Sequence, residues 1–288
     1  MIEGIKKQAI GFFGHNEKFV KYLDSLNNIR TITKGNINFH IIDSKDTKED
    51  DYYKIQKNLD RIYKFANNFG FVFNIYLILS PFKKRFNKHY KLLLNHHNTN
   101  TGFTYLTSSN IKRIFILRKE EYIKVIYHEI IHHISLIHNT FKGTNIIKLI
   151  NHFKISNNNI DPNEAIIELW ATIMFLRELS IDINKDFYEL FIEELNYSLF
   201  KSYQIYLIQK KNNNGYWIDE GTNIYAYVYF KTILMYNLDK FYKIYTFPYN
   251  DDIITQFLID NSNLPFDNIH PNDKRDKMSL CFMVNSDL

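Results

Sequence analysis

Apolar and polar positions follow two different periods along this chain, and the changeover falls near its middle. In the first 120 residues, short runs dominate. Ile37-Asn38-Phe39-His40-Ile41-Ile42 alternates as a half-buried strand does. Residues 47–68 place Tyr53, Ile55, Leu59, Ile62, Tyr63 and Phe65 at helical intervals, with Asp46 or Thr47 as cap and Glu49 and Asp50 in the first turn. Gly70 stops that helix. Residues 71–79 are rich in β-branched and aromatic side chains and end at Pro81, which predicts a buried strand. Residues 101–107 and 113–117 predict two more strands around the turn Ser108-Ser109-Asn110. Shorter helices are expected at 19–26 and around 90–94.

From Glu120 to His138 there is no Gly or Pro, and Ile123, Ile126, Ile130, Ile134 and Ile137 recur at spacings of three and four. This predicts an amphipathic helix, widened on its apolar side by Tyr127, Ile131 and Leu136. Beyond residue 140 the pattern turns helical throughout. Helices are expected at 145–153, at 163–179 behind Pro162, at 186–210, at 222–237 and at 251–259.

The expected fold class is therefore α+β. A mixed sheet with helices fills residues 1–140 and ends in the 120–138 helix, and a mainly helical lobe fills 141–288. The two are expected to form one catalytic unit with a cleft between the lobes.

Composition adds bounds rather than a role. The 288 residues are 45% hydrophobic and 23% charged, enough for a sizeable core. The net charge of +5 is mild. The densest basic run, residues 83–91, has aromatics between its charges, but such runs are more often solvated faces, so no nucleic-acid partner is expected. A single cysteine, Cys281, excludes an internal disulfide framework and fits a reducing compartment. Residues 1–20 lack a signal-type apolar segment, and the most apolar stretch, 69–79, is too short to span a bilayer and is broken by Asn74. A cytoplasmic or intracellular protein without a membrane span is expected. Its oligomeric state is not legible.

The chemistry sits in His128-Glu129-Ile130-Ile131-His132. On a helix, residues four apart share a face one turn apart, so His128 and His132 can point two imidazoles at one ion. Glu129 lies about 100° round the same helix, beside that ion. Two neutral nitrogens, one further protein ligand and an open position suit zinc. About thirty residues on, Asn163-Glu164-Ala165-Ile166-Ile167-Glu168 puts two carboxylates on one helical face.

These two motifs together resemble the gluzincin metallopeptidases, and the second is similar to the thermolysin-like pattern Asn-Glu-Ala-Ile-x-Asp. The resemblance covers the two helices and names a clan rather than one family within it. It implies a zincin-like fold, one zinc ion per chain and a peptide or protein substrate. It further implies that Glu164 is the third metal ligand, that Glu168 accepts the other ring N–H of His128, and that Asn163 does the same for His132. Glu168 stands where the pattern has Asp, so its longer side chain requires different spacing.

A zinc metallopeptidase is the function expected, with Glu129 as general base toward a zinc-activated water. Tyr225 and Asn223 are candidates for the donor that stabilises the oxyanion, although a core role suits Tyr225 better. His133, His138 and the adjacent His96 and His97 read as structural or surface residues, and Trp170 as a core anchor. An edge strand at 102–107 is expected to pair with an extended peptide. Two other readings stay open: a zincin-fold binding protein without catalysis, and a nucleic-acid-associated basic protein.

Overall fold

The computed structural model describes residues 1–13, 16–44, 49–84, 99–134, 141–156, 160–212, 215–217, 223–246 and 249–269. Among them the chain forms a five-stranded mixed sheet and ten α-helices, an α+β arrangement in general terms. It divides into two compact units, Met1–Lys83 with Asn100–Ile134, and Lys84–Thr99 with Ser135–Leu288.

The first unit holds the sheet. Its strands are β1 (Asn28–Lys34), β2 (Ile37–Asp43), β3 (Val72–Ser80), β4 (Gly102–Thr104) and β5 (Ile111–Arg118), in the spatial order β1-β2-β3-β5-β4. The pairs β2–β3 and β3–β5 are parallel, while β1–β2 and β4–β5 are antiparallel. Strand β1 was not expected, because its face is half polar. Arg30, Thr31, Thr33 and Lys34 hide the alternation. It exists through the hairpin with β2, where Lys34 pairs with Ile37 across Gly35. Gly35 has φ +53°, and a Cβ there would lie 2.8 Å from the Tyr63 ring, so this turn requires glycine.

Helices α1 (Ile2–Phe13) and α2 (Glu17–Ser25) cover one face of the sheet. Ile5, Ala9, Phe13, Phe19 and Leu23 pack with Ile42, Ile78, Phe103, Phe115 and Leu117 into one cluster. Asn16 caps α2 by accepting from the N–H groups of Lys18 and Phe19. The alternate side chains, Phe39, Ile41, Phe73, Ile75, Leu77, Ile114 and Ile116, are also buried. They occupy the face of α3 (Glu49–Ala66) and α4 (Tyr122–His133), whose Phe65 and Tyr127 rings meet edge-on at 5.3 Å. Each such fully buried large apolar side chain stabilises the fold by about 1.5–3 kcal/mol. As expected, Gly70 ends the helical segment, at φ +64° after a short 3₁₀ turn at Asn67–Phe69.

The second unit is helical: α5 (Gly143–Phe153), α6 (Asn163–Ile183), α7 (Phe187–Lys211), α8 (Lys231–Tyr236), α9 (Leu238–Ile244) and α10 (Asp251–Asp260). The aromatic segment before α8 is a π-helical turn, Ala226–Phe230, and not the plain α-helix expected over 222–237. Its Tyr229 and Phe230 rings pack on Phe153, and Tyr225 just before it packs on Trp217 and stacks on Tyr229 at 4.9 Å. Asp251, at the start of α10, accepts from the Lys142 N–H and the Asn145 amide, which pins the start of α5 to it.

Candidate metal centre

Helix α4 follows β5 after three residues. The link turns sharply because Glu121 adopts φ +61°. Thr101 donates to the Glu120 carbonyl, and Asn58 donates to the Tyr122 hydroxyl at 2.8 Å. These ties fix the first turn between β4 and α3. The helix begins at Tyr122, two residues later than the sequence pattern predicted, since Glu120 and Glu121 belong to the link. It ends at His133, and residues 135–140, on which the rest of the expected helix falls, lie outside the described residues.

Along α4, Val125, Ile126, Tyr127, Ile130 and Ile131 are buried, as the apolar stripe required. His128 and Glu129 are buried too, each 6% exposed, and His132 is partly buried. One helical turn apart, the two imidazoles turn toward each other. Their Nε2 atoms are 3.1 Å apart, with ring planes inclined at 69°.

Helix α6 begins with Pro162 at its cap position and ends at Asn184 in the left-handed region. Asp161 secures its first turn, accepting from both the backbone N–H (2.9 Å) and the amide (2.7 Å) of Asn163. Glu164 therefore stands in the first turn, where the positive end of the helix dipole favours a carboxylate. Glu168 lies four residues on, on the same face, and is 2% exposed.

The ligand-capable atoms of His128, His132 and Glu164 all lie within 4.8 Å of one another. Among the described residues this is the one such group of three. The donor set fits zinc: two imidazole nitrogens and a carboxylate oxygen are its preferred nitrogen and oxygen ligands, and they are three in number. A tetrahedral ion with Zn–N distances of about 2.0–2.1 Å separates two such nitrogens by about 3.3–3.4 Å. The 3.1 Å observed is close to that edge.

Other candidate residues fall elsewhere. Tyr225 is 2% exposed in an aromatic cluster, and its hydroxyl faces Gln209 Oε1 at 3.4 Å. Burial, aided by Tyr229, pushes its pKa well above the ordinary tyrosine value. That hydroxyl sits in the core of the helical unit. Asn223 holds the chain before α6, its side-chain oxygen accepting from the Asp161 N–H at 3.0 Å. The Asn163 side-chain amide donates to Asp161, while its Oδ1 is buried with no hydrogen-bond partner. This leaves the acceptor that the resemblance assigned to it. Trp170 is partly buried against Tyr245, with ring centroids 5.6 Å apart.

His133, on α4, is 4% exposed and bonded to Thr104 of the sheet. The role of that contact was not legible in the motif, because it depends on how β4 lies beside α4. The basic run beyond Lys84, His96, His97, His138 and Cys281 lie outside the described residues. No described helix is long and apolar enough to cross a membrane. The chain matches no family model, no curated protein and no solved structure.

Proposed function

We propose that this chain is a zinc-dependent metallopeptidase of gluzincin type, with His128, His132 and Glu164 as the metal ligands and Glu129 as the general base. The observation that carries the reading is the convergence of those three ligand atoms within 4.8 Å, with a buried carboxylate at the next position after His128. When bound, zinc polarises a carbonyl and lowers the pKa of water toward neutrality.

The chain's own residues supply the rest. Glu129 takes a proton from the attacking water onto a carboxylate oxygen and delivers it to the departing amine. Glu168 carries the acceptor that orients the His128 ring, since a ligating imidazole gives its other N–H to a carboxylate or carbonyl, and the unpartnered Asn163 Oδ1 is left as an acceptor for the His132 ring. Strand β4 closes one edge of the sheet next to α4, and its backbone offers an extended peptide a strand to pair with. A carboxylate at position 129 is unnecessary for metal binding alone, which favours catalysis over a purely binding role.

The test compares wild type with Glu129→Gln. Both proteins should carry about one zinc per chain, and only wild type should cleave a diverse peptide library scored by mass spectrometry of new ends. Zinc-loaded wild type that cleaves nothing overturns the peptidase reading and leaves a metal-binding protein. Equal cleavage by both removes Glu129 as the base.

A further inference from the structure

The second metal histidine occupies a precarious place. Helix α4 stops at His133, so His132 lies in its last turn, where carbonyls run out of helical partners and helices fray. Among the described residues one backbone tie closes that turn: the Ile134 N–H is shared between the Ile130 and Ile131 carbonyls, both at 3.2 Å.

A side-chain tie reinforces it. Nε2 of His133 is 2.6 Å from Oγ1 of Thr104, and the same Oγ1 is 2.7 Å from the Arg113 carbonyl oxygen. The carbonyl can only accept, so the single hydroxyl proton of Thr104 goes to Arg113. Oγ1 must then accept from His133, whose Nε2 carries the hydrogen. The result is a directed chain from His133 through Thr104 to the backbone of β5. His133 is 4% exposed, its ring edge-on to Phe73 of β3 at 6.2 Å, so packing holds it in this orientation.

Strand β4 also touches the helix near its start. A Cβ on Gly102 would lie 3.2 Å from Val125 Cγ1, which shows how closely the strand approaches α4 there. The sheet thus holds both ends of the helix that carries the histidines.

We propose that His133 and Thr104 are positioning residues for the metal centre: their strut stops the last turn of α4 from fraying and keeps His132 in place for zinc. The inference rests on the metal-site reading above. It concerns residues that bind no metal themselves.

Thr104→Val removes the hydroxyl and keeps the shape, while Thr104→Ser keeps the hydroxyl. In the metal-free proteins, amide hydrogen exchange at residues 131–134 should be about tenfold faster in Thr104→Val than in wild type, with Thr104→Ser close to wild type. In chelator competition, the zinc Kd of Thr104→Val should rise about tenfold, and Thr104→Ser should restore it. Unchanged exchange in Thr104→Val overturns the strut. Faster exchange with unchanged zinc affinity overturns its role at the metal centre. Wild type that takes up no zinc overturns the metal reading alone, and the exchange comparison still decides the strut.

Discussion

The Nε2 atoms of His128 and His132 face each other at 3.1 Å. Two neutral imidazoles meet this way either by one donating its N–H to the other's lone pair or by both lone pairs converging on a cation. The nearby Glu164 oxygen adds a third lone-pair donor to the same small volume, which makes the group one that could hold a metal ion.

Removal of the ligands should therefore be graded. His128→Ala and His132→Ala should each abolish stoichiometric zinc by elemental analysis. Glu164→Ala should weaken the zinc Kd by more than Glu168→Ala, for which about 10–100-fold is expected from loss of an orienting acceptor. The reverse order would exchange the roles of the two glutamates.

Tyr225→Phe should leave peptide hydrolysis unchanged and lower stability by no more than about 1 kcal/mol, because among the described residues its hydroxyl makes a single long contact, to Gln209. A large loss of kcat with unaltered unfolding would return Tyr225 to the reacting centre.

Gly102 tolerates no side chain. A Cβ would come within 2.6 Å of the Phe115 carbonyl oxygen and 2.8 Å of Ile116 Cδ1. Gly102→Ala should cost about 1–3 kcal/mol by urea unfolding. It should also lower zinc affinity, since β4 would be pushed off α4.

Asp251 gives the helical unit a pH-dependent fastening. Burial works against its ionisation, but the hydrogen bonds from the Lys142 N–H and the Asn145 amide, with the nearby Lys142 ammonium, outweigh it and hold its carboxyl below the usual range. A depressed folded-state pKa stabilises the protein above the unfolded value and loses that contribution as pH falls through the folded one. Asp251→Asn should cost about 1–2 kcal/mol at pH 7 in urea titrations. The gap to wild type should begin to shrink below about pH 4 and close as pH falls past the depressed folded-state pKa. A gap that does not shrink as pH falls would mean that shape, not charge, makes the contact.

What the sequence revealed depended on how locally each feature is determined. Helix α6 was legible because Pro162 and the run from Asn163 carry their own start signal and periodicity. The β4–β5 hairpin was legible through Ser108-Ser109-Asn110, although the paired part of β4 shrinks to Gly102–Thr104. Helix α1 was missed: Gly4 and Gly11 dilute its pattern, and only packing of Ile5, Ala9 and Phe13 on the sheet stabilises it. The π turn at Ala226–Phe230 has no sequence mark, since one inserted residue per turn is decided by what the rings pack against. At the site, the motif fixed His128, Glu129 and His132 by helical spacing alone. Thr104 could not be found that way, because its partnership with His133 joins residues 29 positions apart.

Between Arg118 at the end of β5 and Tyr122 at the start of α4 lie only Lys119, Glu120 and Glu121. So short a bracket transmits displacement without damping it: sliding β5 by one residue against β3 would carry both histidines along by about 3.3 Å. The sheet's ladder is therefore the ruler by which the imidazoles are placed. An engineer could lengthen the β1–β2 hairpin at little cost to the histidines, whereas a single residue inserted at Glu120 would put them out of alignment.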